Sequence, residues 1–169
     1  MCPIRSSDCL SRRSYRSYGD TPLTLQQLSY LLWAGLEPGA YHYLPMEHAL
    51  EFLGAVEAMS ETISDALLEQ KWAARAGVVF FWSVVPYRAE WRYGIRAQRT
   101  ILIDVGHVGQ NHYLAATALG LGTCTVAAFD DPLCSRLFGL DGKEEFIIYA
   151  APVGSRGRGG APHCTPKGQ

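Results

Sequence analysis

The sequence lacks the features that mark an extracellular, membrane or zinc-binding protein. Its five cysteines form no C-x-x-C pair, so neither a zinc site nor a disulfide framework is indicated. The longest nearly apolar run, residues 77–85, is about half of the ~18 residues that span a bilayer. The amino-terminal end also lacks the apolar core of a secretory signal. We therefore expect a cytoplasmic protein in which Cys124 and Cys134 are buried and reduced.

The sequence also lacks an excess of charge of either sign. Its 169 residues include 15 basic and 16 acidic side chains, which gives a formal net charge of −1. Near-neutral charge argues against a protein that binds nucleic acid or an anionic membrane surface. The length predicts one globular domain over residues 1–169, with residues 1–10 and 157–169 as flexible tails.

The charges are nevertheless segregated along the chain. No lysine or arginine occurs from residue 17 to residue 70, whereas residues 11–16 read SRRSYR. Guanidinium groups suit contact with phosphate. In an extended segment, Arg12, Ser14 and Arg16 would point the same way and could bind one phosphate group. The alternative interpretation is a solvated basic arm.

Local patterns predict both helices and strands. The expected helices cover residues 25–34, 60–74, 95–119 and 131–138, and the expected strands cover residues 40–44, 77–85, 123–129 and 146–153. We expect Ile63, Leu67 and Leu68 to face inward from the second helix. The run at residues 77–85 is apolar except for Ser83, which predicts the central strand of the sheet. Because helices and strands do not alternate strictly, we expect an α+β fold with a mixed central sheet flanked by helices.

The helix predicted at residues 95–119 is long for so small a domain, at ~35 Å. Gly106 and Gly109 lie three residues apart within it. Glycine weakens a helix but lets another backbone approach closely. Either a close crossing within the chain or a contact between two copies would explain this pair, and we favour a dimer.

Several common catalytic motifs are missing from the sequence. It contains no G-x-S-x-G motif and no cysteine with an evident histidine partner, so acyl transfer lacks support. His107 and His112 are five residues apart and would lie on different faces of a helix, so we expect no metal site. Gly120 and Gly122 follow a helix and precede a strand, which reverses the order of a dinucleotide-binding fingerprint.

Short segments, taken in order, resemble the nitroreductase family and in particular its SagB-type dehydrogenase branch. They are RRSYRSY (12–18), PLTL (22–25), LLWA (31–34), GAYHY (39–43), WRYGIR (91–96), DVGHVGQN (104–111), LGLGTC (119–124) and APVG (151–154). Each segment is weak evidence by itself. The ordered set is specific, and it covers nearly the whole chain.

The resemblance implies an FMN-dependent oxidoreductase with a nitroreductase-like fold and one long central helix. Such a protein is a homodimer that holds FMN between its subunits and transfers hydride between NAD(P)H and an oxidised acceptor. The acceptor would be a nitro, quinone or azoline-type compound, either a small molecule or a modified peptide.

The resemblance also implies which residues bind the cofactor. They are Arg12, Arg13, Ser14, Arg16, Thr125, Val126, Ala127, Ala128, Arg156 and Arg158. The arginines and Ser14 would bind the phosphate and ribityl chain, and residues 125–128 would lie along the isoalloxazine ring. Small side chains there would let backbone N–H groups reach the polar edge of the ring.

Two departures from the family pattern bear on function. Relatives insert a flavin-contacting loop and a strand where this chain runs directly from Gly35 to Gly39, so FMN could be lost and the strand at residues 40–44 left with an exposed edge. Azoline-oxidising relatives carry a Lys-Tyr pair where this chain has Arg92 and Tyr93, and arginine cannot serve as a base. Arg92 and Tyr93 are candidates for catalysis, and no other catalytic residue is assigned. The alternative function is a deletion-degenerate homologue that acts as a non-catalytic dimeric interaction module.

Overall fold

The fold is α+β, as the sequence predicts. A computed structural model describes residues 14–21, 23–24, 38–47 and 49–157. Its strands are β1 (Ala40–Leu44), β2 (Ala49–Gly54), β3 (Val78–Val84), β4 (Leu121–Thr123) and β5 (Phe146–Ser155), and its helices are α1 (Met59–Ala66), α2 (Tyr87–Tyr93), α3 (Ala97–Ala118) and α4 (Asp131–Leu137). The helix predicted at residues 25–34 lies outside the described residues.

The middle strand of the larger sheet is β5, not β3. The strand order is β3-β5-β4, and residues 150–154 of β5 are all buried. No residue of β3 is fully buried, so the prediction that this strand forms the centre is wrong within the described sheet. Small residues such as Ala150 and Ala151 let β5 be covered closely, whereas apolarity alone does not distinguish a central strand from an edge strand. Every strand pair in the described ranges is antiparallel, although we expected a mixed sheet.

β1 forms a separate two-stranded hairpin with β2, which pairs one of its two edges. β1 pairs with β2 so that Tyr41 lies opposite Phe52 and Tyr43 opposite Leu50. The rings of Tyr41 and Phe52 pack with centroids 5.1 Å apart. β2 contains no β-branched residue, so its sequence carries little strand propensity and does not predict a strand.

The helix predicted at residues 60–74 is about half as long in the structure. α1 ends at Ala66, and Leu68 and Glu69 adopt left-handed φ angles of 52° and 59°. Leu67 is fully buried, but Leu68 is 55% exposed, so the prediction that both face inward is wrong for Leu68. The break allows Leu67 and Ala73 to enter the same core cluster, an arrangement that helical periodicity does not reveal.

Two other boundaries differ from the prediction. The expected strand at residues 123–129 is reduced to β4, which ends at Thr123, and an isolated bridge between Val126 and Ala150. α4 forms as expected, but its cap is Asp130, whose side chain accepts the Leu133 N–H at 2.7 Å. The pair Asp131-Pro132 in the sequence predicts a cap at Asp131, so the observed cap lies one residue before the predicted position.

The long helix is confirmed, and its two glycines have different surroundings. α3 has 22 residues. A Cβ at Gly109 would lie 2.9 Å from Cε1 of Tyr149, whereas a Cβ at Gly106 would meet nothing within 4 Å. Gly109 therefore serves a close internal crossing, and the interpretation as a contact between two copies applies only to Gly106.

Both cysteines expected in the core are buried with free thiols. They are Cys124 and Cys134. Burial, reinforced by the carboxylates of Asp130 and Asp131, raises the pKa of the Cys134 thiol to about 12, so this thiol stays protonated. Among the helices in the described ranges, none combines the length and apolarity needed to cross a bilayer.

Candidate functional site

Residues 14–21, which we call the amino-terminal segment, lie beside the end of β5. Tyr18 forms a β-bridge with Arg156, and the Gly157 N–H donates to the Ser17 carbonyl at 3.3 Å. This pairing joins residues from the two ends of the described chain. Arg16 lies two positions before Tyr18, the residue that pairs with Arg156. The pairing therefore places both arginines in the region where the sequence predicts their guanidinium groups.

Tyr18 anchors this segment to the core. Its hydroxyl lies 3.2 Å from the carbonyl oxygens of both Tyr15 and Pro152, which share its single hydrogen. Burial raises the pKa of the Tyr18 phenol, and the opposing effect of the Arg16 charge is smaller. The phenol therefore keeps the proton that both carbonyls require. Gly154 makes room for the ring, because a Cβ there would lie 2.8 Å from Cδ1 of Tyr18.

Arg156 is held in a defined position although it is exposed. Its guanidinium lies over the Tyr15 ring, 4.9 Å from the centroid, and its Nε donates to the Leu121 carbonyl at 3.1 Å. The Tyr15 N–H donates to the Thr123 carbonyl at 2.9 Å. A Cβ at Gly122 would lie 2.9 Å from Cβ of Tyr15, so the second glycine of the Gly-Leu-Gly segment is needed for packing.

Four hydroxyl groups connect the amino-terminal segment to the residues after β4. Ser14 Oγ lies 3.1 Å from the Tyr113 hydroxyl, which lies 3.3 Å from Thr125 Oγ1. The Thr125 N–H donates to the Tyr113 hydroxyl at 2.9 Å, and the Tyr149 hydroxyl donates to Thr125 Oγ1 at 2.6 Å. We call Ser14, Tyr113, Thr125 and Tyr149 the hydroxyl network. It joins the amino-terminal segment, α3 and β5 at one place.

The backbone of residues 125–128 is less available than the sequence suggests. The Thr125 N–H is used by Tyr113, and the Val126 N–H donates to the Ala150 carbonyl at 2.7 Å. The Val126 side chain is buried. Ala127 and Ala128 are exposed. Within this segment, a ligand can therefore approach Ala127 and Ala128 from solvent, and the Ala128 carbonyl already accepts a hydrogen bond from Gln70 Nε2 at 3.0 Å.

The structure does not bring every predicted residue to this site. Arg12, Arg13 and Arg158 lie outside the described residues. Arg92 and Tyr93 belong to α2, which packs against α3, and the Arg92 guanidinium lies 5.4 Å from the centroid of the Tyr93 ring. Both side chains are exposed. In the described part of the chain, no hydrogen bond or ring contact links them to Arg16 or Arg156.

His112 belongs to the packing beneath the site. Its ring packs edge-on against Phe80 and Trp82, at centroid distances of 5.0 Å and 5.3 Å. Thr123 Oγ1 donates to the Pro152 carbonyl and lies 3.2 Å from His112 Nε2, so Nε2 must be the donor in that pair. Burial lowers the pKa of His112 to about 4, which keeps the ring neutral near pH 7. Within the described ranges, no group of histidine, cysteine or carboxylate side chains could hold a metal ion.

Sequence reasoning missed Tyr113 and Tyr149. Each lies in an element that the sequence predicts, but neither was assigned to the site. A tyrosine on a largely apolar face can indicate a residue of a polar site, because a buried hydroxyl requires a hydrogen-bond partner. The identity of that partner depends on the folded chain, since Tyr113 and Ser14 are 99 positions apart.

Solved structures share this arrangement of helices and strands. A protein of Anabaena variabilis described as a nitroreductase superposes with a TM-score of 0.75 at 25% identity, over 89% of this chain and 38% of that one. The NADPH:FMN oxidoreductase of Vibrio harveyi, complexed with NAD+, superposes with a TM-score of 0.63 at 18% identity, over 89% of this chain and 67% of that one. The fold is therefore nitroreductase-like.

Sequence comparison identifies the family. The profile of the nitroreductase family matches residues 37–155, so the chain belongs to this family of oxidoreductases. A protein of Methanocaldococcus jannaschii described as a nitroreductase is 31% identical over 186 aligned positions, covering 90% of this chain and 92% of that protein. The trifolitoxin-processing protein TfxB of Rhizobium leguminosarum bv. trifolii is 27% identical over 111 positions, covering 64% of this chain and 30% of TfxB. The chain thus spans under two fifths of TfxB and of the Anabaena protein.

Proposed function

We propose that the protein is an FMN-dependent oxidoreductase that acts as a homodimer. It transfers hydride between NAD(P)H and an oxidised acceptor such as a nitro, quinone or azoline-type compound. The observation that carries this proposal is the pairing of Tyr18 with Arg156, which brings Arg16 and Arg156 to one end of the sheet. Membership in the nitroreductase family supports flavin chemistry, and so does the likeness in fold to an NADPH:FMN oxidoreductase.

The residues present suit a phosphorylated flavin. The predicted site residues within the described ranges offer guanidinium and hydroxyl donors and include no carboxylate, which matches the chemistry of a phosphate group. Stacking on Tyr15 holds the Arg156 fork in place. The exposed, small Ala127 and Ala128 leave room for a flat ring. When bound, FMN would supply the hydride chemistry, while Arg16, Arg156 and the hydroxyl groups would bind and orient it. We assign Arg12, Arg13 and Arg158 to the same phosphate.

The proposal extends to the SagB-type dehydrogenase branch. The ordered sequence segments and the similarity to TfxB, a trifolitoxin-processing protein, support this assignment and make a modified peptide one substrate class to test. Arg92 stands where azoline-oxidising relatives have lysine, and a guanidinium does not act as a base. Nitro and quinone compounds are therefore the first acceptors to assay, with Tyr93 kept as a catalytic candidate.

A second function is favoured by the length of the alignment with the M. jannaschii protein. That alignment has 186 positions, more than the 169 residues of this chain, so the relative contains residues without a counterpart here. A segment lost between Ala34 and Gly39 would explain the difference and would remove contacts to the ring. The chain would then be a dimeric interaction module without FMN.

The visible spectrum of the purified protein, followed by titration with FMN, separates the two functions. We expect the absorption of bound flavin, or a saturable titration if the flavin is lost during purification. Arg16→Ala should raise the Kd for FMN about 10- to 100-fold, which corresponds to about 1.5–3 kcal/mol for a hydrogen bond to a charged group. Arg136→Ala, an exposed arginine in α4, is the matched control and should leave the Kd unchanged.

Each part of the proposal can fail separately. A folded dimer that binds no FMN at any concentration would support the interaction module. A protein that binds FMN equally well with and without the Arg16 side chain would remove Arg16 from the site.

A further inference from the structure

We propose that Tyr113 is a positioning residue of the cofactor site. Its hydroxyl holds Ser14 and Thr125 in fixed places, so that the amino-terminal segment and the residues after β4 act as one binding unit. This inference rests on the proposed function, since Ser14 and Thr125 are the hydroxyl-bearing residues assigned there to FMN.

Tyr113 contacts both segments directly from α3. Its hydroxyl lies 3.1 Å from Ser14 Oγ on one side. On the other side it accepts the Thr125 N–H at 2.9 Å and lies 3.3 Å from Thr125 Oγ1. A rigid helix therefore sets the distance between two segments that are remote in sequence. Without this hydroxyl, the Thr125 N–H loses a partner, and Ser14 loses its link to α3.

Tyr149 supports the same arrangement from β5. Its hydroxyl donates to Thr125 Oγ1 at 2.6 Å, so Thr125 is held from two elements. The Tyr149 ring packs closely against Gly109 of α3, since a Cβ there would lie 2.9 Å from Cε1. The ring is thus confined at both its edge and its hydroxyl, and Thr125 cannot shift without disturbing α3 and β5 together.

Limited proteolysis of the full-length, flavin-free protein tests whether Tyr113 holds the amino-terminal segment. Tyr113→Phe removes only the hydroxyl and should raise the rate of tryptic cleavage after Arg16 about tenfold, the effect of losing about one hydrogen bond. Tyr87→Phe, an exposed tyrosine in α2, is the matched control and should leave the rate unchanged. Cleavage after Lys71, in the exposed turn that follows α1, reports general loosening and should not change in either variant.

A double-mutant cycle shows whether the effect passes through Ser14. Ser14→Ala alters an exposed side chain, so the variant should fold, and it should raise cleavage after Arg16 by itself. If Tyr113 acts through Ser14, adding Tyr113→Phe in that background should increase cleavage much less than it does in the wild type. Additive effects, or cleavage after Arg16 that changes in neither single variant, would overturn the proposal.

FMN titration connects the positioning role to the site. We expect the Kd for FMN to rise about tenfold in Tyr113→Phe and to stay unchanged in Tyr87→Phe. A wild-type protein that binds FMN with a Kd indifferent to Tyr113→Phe would overturn the role of Tyr113 and leave the proposed function intact. A wild-type protein that never binds FMN would overturn the proposed function itself, and the cofactor role of Tyr113 with it.

Discussion

The two halves of α3 lie in different environments although they belong to one continuous helix. In the carboxyl-terminal half, Gly109 and Ala116 are buried, and His112 packs against the sheet. In the amino-terminal half, the side chains of Leu102 and Ile103 are 56% and 52% exposed. We call the carboxyl-terminal half the inner half, because it packs beneath the candidate site. We call the amino-terminal half the outer half, because it leaves apolar surface exposed in the single chain.

The halves can be compared residue for residue. Each contains one glycine and one histidine: Gly106 and His107 in the outer half, and Gly109 and His112 in the inner half. The same residue type therefore has a different role on each side of the helix midpoint. Substituting the glycine and the histidine of each half shows which properties depend on the residue type and which depend on its surroundings.

The largest expected effect is the pH dependence of stability contributed by His112. Burial lowers its pKa to about 4, whereas a histidine in the unfolded chain titrates near 6.5. Between these values the unfolded state binds the proton more readily than the folded state. The contribution of His112 to the free energy of unfolding is therefore complete above about pH 7 and falls as the pH drops. The loss should reach about 3 kcal/mol near pH 4.

Urea unfolding at several pH values measures this loss. His112→Phe keeps a ring in place but removes the titrating nitrogen, so the free energy of unfolding should vary less between about pH 7 and pH 4. His107→Gln is the matched variant in the outer half and should retain the wild-type pH dependence. Equal pH dependence in wild type and His112→Phe would show that another group carries it.

The next effect concerns the two glycines. Gly109→Ala places a Cβ 2.9 Å from Cε1 of Tyr149, whose hydroxyl is held by Thr125, and we expect it to destabilise the protein by about 1–2 kcal/mol after the gain in helix propensity. The Cβ of Gly106→Ala meets nothing within 4 Å in the described part of the chain, so this substitution should stabilise the protein by up to about 1 kcal/mol. Urea denaturation of both variants should therefore give shifts of opposite sign. Shifts of the same sign would contradict the inner and outer assignment.

The smallest expected effect on folding comes from the apolar outer surface. Leu102→Asp should change the stability of the single chain by less than about 0.5 kcal/mol, but it should convert the proposed homodimer into a monomer. Leu68→Asp is the matched control, since Leu68 is 55% exposed on a different element. Sedimentation velocity measures the outcome. A wild-type monomer, or a dimer that persists in Leu102→Asp, would contradict a dimer formed through this surface.

Elements with strong local patterns were predicted, and those that depend on distant contacts were not. α3 and β5 follow from long, periodic or continuous apolar segments. The break after Ala66 does not, because it places Leu67 and Ala73 beside Val126 and Ala150, which lie far along the chain. β2 was missed for a similar reason: its strand form depends on pairing with β1 and not on its own residues.

The same division applies to the candidate site. Arg16 and Arg156 could be proposed from the residue types and the family resemblance, because the chemistry of phosphate limits which side chains suit it. Tyr113 and Tyr149 could not, because their importance lies in the partners that folding brings to their hydroxyl groups. Nor could the sequence show that the Thr125 and Val126 N–H groups are already used within the chain.

Taken alone, the sequence determined the segments that form α3, α4, β1, β3 and β5, the family that the chain belongs to, and which cationic side chains suit an anion. Local backbone preferences and side-chain chemistry act over a few residues, so they can be inferred without a structure. Only the tertiary structure decided that β5 lies in the middle of the sheet, that Gly109 faces Tyr149, and that four hydroxyl groups meet between α3 and β5. Those outcomes depend on which distant residues can pack without overlap or unpaired polar groups, and that condition is met by the whole fold rather than by any one segment.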